Sequence, residues 1–282
     1  MRTLIAGLWL ISNVAAGTAI AQPFAPNEAG VTMGHWHLNS SNIEASKKIF
    51  AGMGGTAVKA GDFEVVRFPG VVVMLHLRAP FAPATGGTDG TVVNHVGFTV
   101  QNVQESVAKW KAAGVPVQPG NPITKDQAFV THRTDQAFVI TPDGLKIEIL
   151  ENKNQKFAIQ HEHVHFFVAE SAIPQAQAWY AKTFGAKVGM RNNAPIADLP
   201  GTQLRYAKAN TPTTTTRGTV LDHIGFDVTD LLAFTKKLEA AGIKLDRPYT
   251  KNPQTGGALA FITDPWGTFI ELNERPNAAY IQ

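Results

Sequence analysis

Six residues of this sequence have the types and spacing of metal ligands: His35, His95 and Glu148 in the first half, His163, His223 and Glu271 in the second. His35 and His95 are 60 residues apart, and so are His163 and His223. Both glutamates are flanked by apolar residues, Ile147 and Ile149 in one case, Ile270 and Leu272 in the other. In a strand of period two, such an acid stands on the face opposite its neighbours. Two imidazoles and a carboxylate on one concave face are costly to desolvate unless they are paired or hold a metal. Two neutral nitrogens and one carboxylate also leave coordination positions open, which suits Fe(II) first and Mn, Co, Ni or Zn less selectively. The chain has no cysteine, so thiolate zinc sites, iron–sulfur clusters and thiol nucleophiles are excluded.

The elements that must position these residues are visible as a repeat. Asn94-His95-Val96-Gly97-Phe98-Thr99-Val100 recurs as Asp222-His223-Ile224-Gly225-Phe226-Asp227-Val228, an offset of 128. The same offset carries His35-Trp36-His37-Leu38 onto His163-Val164-His165-Phe166. After a contraction of five residues, Phe138 to Ile149 maps onto Phe261 to Leu272. Each half is itself two units of one plan: a strand bearing His, a helix of about three turns closed by Gly, then short β-rich runs. Helices are expected over Ile43–Phe50, Val103–Ala113, Ile173–Phe184 and Leu231–Ala241, with the following glycines as left-handed caps. The fold class expected is therefore α+β, two domains of paired βαβββ modules with curled mixed sheets around a metal site. Domain limits are 22–150 and 161–282, joined by a polar linker over 151–160. Ala79 to Thr91 and Asn210 to Gly218 read as surface loops or lids. Modules can pair within each half or cross between halves, and crossing would mix the ligand sets.

The 282 residues, 44% apolar and 17% charged, suit two packed cores. A net charge of +3 without basic runs argues against nucleic acid as a partner. Arg2, the apolar stretch Leu4 to Ile11 and the small residues ending Ala19-Ile20-Ala21 form the pattern of a secretory signal, 1–21, cleaved before Gln22. The expectation is a secreted or periplasmic protein with no membrane attachment after cleavage and a small-molecule substrate; a homodimer is compatible with it. There is no GxSxG elbow to anchor serine hydrolysis.

The strand histidines, the helix start Ser40-Ser41-Asn42-Ile43-Glu44-Ala45-Ser46 and the terminal Ile-Glu-Ile strand resemble the vicinal oxygen chelate superfamily, which includes glyoxalase I, extradiol dioxygenases and bleomycin-resistance proteins. The resemblance runs from about His35 to Glu274. It implies His35, His95 and Glu148 as ligands of one site and His163, His223 and Glu271 as ligands of the other. It also implies a substrate that chelates the metal through vicinal oxygens, with proton transfer by His76, His37 or Tyr206. His37 and His165 lie two positions beyond proposed ligands, on the same strand face. Extradiol enzymes carry a further His and a Tyr near the metal; Phe138 and Phe261 stand near the place of the Tyr. A dioxygenase-like activity leads, a glyoxalase-type lyase or isomerase is the alternative, and a non-catalytic binder of the bleomycin-resistance kind is a third reading.

Overall fold

The computed structural model describes residues 24–60, 63–77, 86–118, 134–253 and 256–275; the expected leader over 1–21 lies outside them. Four βαβββ modules follow one another. The first is β1 (Val31–Ser40), α1 (Ile43–Gly52), β2 (Thr56–Ala60), β3 (Phe63–Phe68) and β4 (Val71–Leu77). The second is β5 (Val93–Val100), α2 (Val103–Ala112), β6 (Val117–Gln118), β7 (Gln136–Ile140) and β8 (Lys146–Glu151). The third is β9 (Ile159–Val168), α3 (Ile173–Phe184), β10 (Lys187–Arg191), β11 (Ala194–Leu199) and β12 (Thr202–Lys208). The fourth is β13 (Leu221–Val228), α4 (Leu231–Ala240), β14 (Leu245–Lys251), β15 (Ala258–Thr263) and β16 (Phe269–Glu274). The expected linker is shorter than 151–160, because Glu151 completes β8 and Ile159 opens β9.

Local chemistry accounts for the helices. Asn42, Asn102 and Asp230 cap α1, α2 and α4 by accepting the backbone N–H three residues on. Helix α3 has no side-chain cap; it starts with Pro174 in its first turn and ends at Gly185 with φ 70°. In each module the helix is the crossover that lets the first strand run parallel to the last, as β1 does with β4 and β9 with β12.

The sheets pair modules across the halves. One has the order β14-β15-β16-β13-β1-β4-β3-β2, joining modules one and four. The other, β10-β11-β12-β9-β5-β8-β7-β6, joins modules two and three. The two sheet bodies therefore do not coincide with the halves 22–150 and 161–282. Their seams are antiparallel: β1 against β13, β5 against β9. Trp36 of β1 meets Phe98 of β5 with ring centroids 5.2 Å apart and His161 of β9 at 5.0 Å, so the backs of the two sheets share one apolar core. Alternation along β1 then sends His35 and His37 to the opposite, concave face.

Candidate metal centres

On each concave face, strand register aligns the site as two rows. In the first sheet Glu271 of β16, Gly225 of β13, His35 of β1 and Val72 of β4 stand side by side, and His223, His37 and Met74 form the next row. In the second sheet the rows are Glu148, Gly97, His163, Gln203 and then His95, His165, Arg205. The glycines make room for the imidazoles. A Cβ on Gly225 would lie 2.0 to 2.6 Å from three atoms of the His35 ring, and one on Gly97 equally close to His163. The repeated His-x-Gly of β5 and β13 is thus a ligand followed by the gap that admits its partner from the facing module.

Two groups result, each with donor atoms within 4.8 Å of one another: His35, His223 and Glu271, and His95, Glu148, His163 and His165. Grouping the ligands by halves is corrected accordingly, since His35 joins His223 and Glu271 while His95 and Glu148 join His163. Glu271 Oε2 is 2.8 Å from His223 Nε2 and 3.3 Å from His35 Nε2. Glu148 Oε2 is 3.1 Å from His163 Nε2 and 3.4 Å from His95 Nε2. Ligands about 2.1 Å from one ion lie about 3 to 4 Å from each other, so both groups fit a divalent cation. Nε2 of His35 and Nε2 of His163 are buried without a hydrogen-bond partner among the described residues, which is costly unless an ion takes the lone pair of each.

The residue before each of three ligands fixes its ring. Asn94 Oδ1 is 2.9 Å from His95 Nδ1, Glu162 Oε2 is 2.5 Å from His163 Nδ1, and Asp222 Oδ2 is 2.9 Å from His223 Nδ1. A partner on Nδ1 presents Nε2 to a metal and raises its basicity. The glutamates are held in turn: Asn273 donates to Glu271 Oε1 at 2.8 Å, and Gln136 donates to Glu148 Oε1. Burial would raise the Glu148 carboxyl, but the His163 and His95 imidazoles outweigh it and hold it well below the usual range. Burial likewise opposes the rise at His223, which its neighbours Asp222 and Glu271 nevertheless impose. His95 is pushed down to about 4, chiefly by burial.

Residues 162–272 match the Glyoxalase/Bleomycin resistance protein/Dioxygenase superfamily. The chain carries a domain of this superfamily. Among curated proteins none matches the sequence. Glyoxalase I from Zea mays shares the fold at a TM-score of 0.66 and 18% identity, over 86% of this chain and 92% of that one. A structure described as "putative dioxygenase" from Bacillus subtilis does so at 0.61 and 15%, over 91% and 87%. These likenesses are of fold, and they extend well beyond the matched segment. The superfamily segment supplies His163 to one group and His223 and Glu271 to the other.

The expected proton-transfer residues separate. His37 lies at the first group, its ring 4.5 Å from that of His223, and is pushed down to about 3 by burial and then by His223 and His35. His76 is exposed at the rim, 5.6 Å from the His37 ring. Tyr206 does not reach either group and is corrected. Its register partner is Phe166, so its ring points to the far side of β12, where it stacks on Phe166 at 5.4 Å and packs near Tyr180. Arg205, one residue earlier and in register with His165, holds the place on that face instead of the tyrosine. Phe138 and Phe261 do wall the sites, 5.9 Å from His95 and 5.3 Å from His223. The expected lid over Asn210 to Gly218 is tied down: Thr214 N–H donates to Gly90 O, and Thr215 Oγ1 donates to Gly267 O at 2.7 Å. Residues 79–85 of the other expected lid lie outside the described residues.

Proposed function

We propose that the protein is a divalent-metal-dependent enzyme, dioxygenase-like in reaction, acting on a small substrate that chelates through vicinal oxygens. The observation that carries this reading is the first group, where two imidazoles and one carboxylate from two modules leave coordination positions open on a concave face. His35, His223 and Glu271 would hold the ion, and Fe(II) is the favoured metal. When bound, the ion supplies a Lewis acid for the substrate oxygens and a centre for oxygen activation. Asp222 keeps the His223 tautomer, Asn273 orients Glu271, and Gly225 keeps space for His35. His37 would accept a substrate hydroxyl proton beside that group, with His76 as a route to solvent; the ring distances of 4.5 Å from His37 to His223 and 5.6 Å from His37 to His76 support this reading. Phe261 and Phe269 stack at 4.9 Å and give the substrate an apolar wall that excludes water. The leader over 1–21 is part of the same reading: the mature protein starts at Gln22 outside the cytoplasm, which N-terminal sequencing of the exported protein tests.

The test is metal removal followed by reconstitution with Fe(II), Mn(II) or Zn(II), with oxygen uptake measured on catechols. Stoichiometric Fe(II) and oxygen consumption are expected. Metal-dependent isomerisation of a hemithioacetal without oxygen uptake would replace this reading by the glyoxalase-type one, and failure to hold metal would end both.

A further inference from the structure

The two metal groups differ in what stands in register beside the third imidazole. In the first sheet the partner of His37 is Met74; in the second the partner of His165 is Arg205. The Arg205 guanidinium is prearranged. Its Nη2 donates to Glu162 Oε1 and Oε2 at 2.6 and 2.7 Å, and its Nε donates to Gln203 Oε1 at 3.1 Å. Arg191 also donates to Glu162, so that carboxylate is shared by two cations. These bonds leave Arg205 Nη1 directed at the metal group, 3.8 Å from Glu148 Oε2. The positions matching Glu162 and Gln203 in the first module are Gly34 and Val72. The space beside Gly34 holds the Asp227 carboxylate, which takes Arg275 Nε at 2.8 Å, but the place of Arg205 in register with the third imidazole is taken by Met74. The other cation near the second group, Lys146, is already paired with Asp89.

We propose that the His95, Glu148, His163 and His165 group is a site for a small carboxylate- or phosphonate-bearing chelator, with Arg205 Nη1 as the donor that selects the anion. The inference rests on the metal reading above. A guanidinium fixed by a carboxylate loses little freedom on binding, and a charge-assisted hydrogen bond to a partly desolvated anion is among the stronger ones. The first group, with Met74 in that place, has no such donor in register with its third imidazole. The chain thus holds two differently tuned sites, one for uncharged chelators and one for anionic chelators.

The test uses the full chain loaded with Co(II), whose visible absorption reports ligands entering its coordination sphere. Glu271→Ala leaves the second group alone, and Glu148→Ala leaves the first alone. Oxalate is titrated into each. Oxalate is expected to bind the Glu271→Ala protein, and adding Arg205→Met is expected to weaken it about 10- to 100-fold, on the scale of a hydrogen bond to a charged group. Arg205→Lys should restore part of the loss, and because Arg205 also holds Glu162 behind His163, Co(II) affinity is measured for each variant and oxalate is titrated at saturating Co(II). Oxalate binding that is insensitive to Arg205→Met, or equally tight at both sites, would overturn the inference while leaving the metal reading intact. Absence of Co(II) uptake by the Glu271→Ala protein would overturn both.

Discussion

Gly225→Ala is the smallest change that should dismantle one metal group and spare the other. The added Cβ would lie 2.0 Å from His35 Cε1 and 2.1 Å from Nδ1, whereas ordinary van der Waals contact begins at 3.4 Å. The ring would have to retreat by about 1.4 Å, and His35 is buried among β1, β13 and β4 with 1% of its surface exposed. Metal ligands tolerate displacements of only about 0.5 Å. Loss of an orienting partner behind a ligand costs about 10- to 100-fold in affinity, so loss of the ligand itself should cost more than about 100-fold. Overpacking of this size costs about 1–3 kcal/mol of stability, enough to lower the Tm by several degrees without unfolding the chain. Chelator competition with Co(II), read beside a thermal melt, should show one tight site where the unaltered protein shows two. Gly97→Ala should remove the other. A Gly225→Ala protein with two sites of unchanged affinity and an unchanged Tm would refute the close-approach argument.

Other substitutions separate roles that proximity alone does not. Asp222→Asn and Glu162→Gln should each weaken metal about 10- to 100-fold at their own group by releasing Nδ1 of His223 or His163, measured by the same competition. Tyr206→Phe should leave metal binding unchanged and stability equal or slightly higher, because its hydroxyl is buried with no hydrogen-bond partner among the described residues; a large activity loss would restore it as a catalytic candidate. His161 is buried between Trp36 and Phe98 and pushed down from 6.5 to about 4 by burial, with a partial offset from the Gly201 carbonyl. Its folded pKa is depressed, so the folded state favours the neutral ring. The stability it contributes is complete above pH 6.5 and is lost as pH falls towards 4, by up to about 3 kcal/mol. Urea midpoints of metal-free protein between pH 7.5 and 4.5 should fall more steeply than those of His161→Gln.

Much of this architecture is legible in the sequence because the repeat is strict. Ile173–Phe184 is helical as expected, and the other three helices end within two residues of their expected limits. The pairing of modules is not legible, because a constant spacing of 60 is satisfied equally by pairing within a half and across halves. Only the register of β1 on β13 and of β5 on β9 decides it. Tyr206 was misplaced by one step of strand alternation: Arg205-Tyr206 puts one residue on each face, and Phe166 across the strand claims the tyrosine for the core. Two further features of the sequence mark the sites. A glycine inside a buried strand marks a close approach, and Gly97 and Gly225 do so two residues after a ligand. A polar residue stands immediately before three of the four opening histidines, and each holds an imidazole.

The central claim is that each metal group is assembled from modules one and four or from modules two and three. Metal stoichiometry of paired alanine variants tests it most directly. His35→Ala should leave one ion per chain. Adding Glu271→Ala should remove nothing further, because both residues serve the same group, whereas adding Glu148→Ala should leave none. If His35→Ala with Glu148→Ala kept one ion and His35→Ala with Glu271→Ala kept none, the sites would be built within the halves and the account would be wrong.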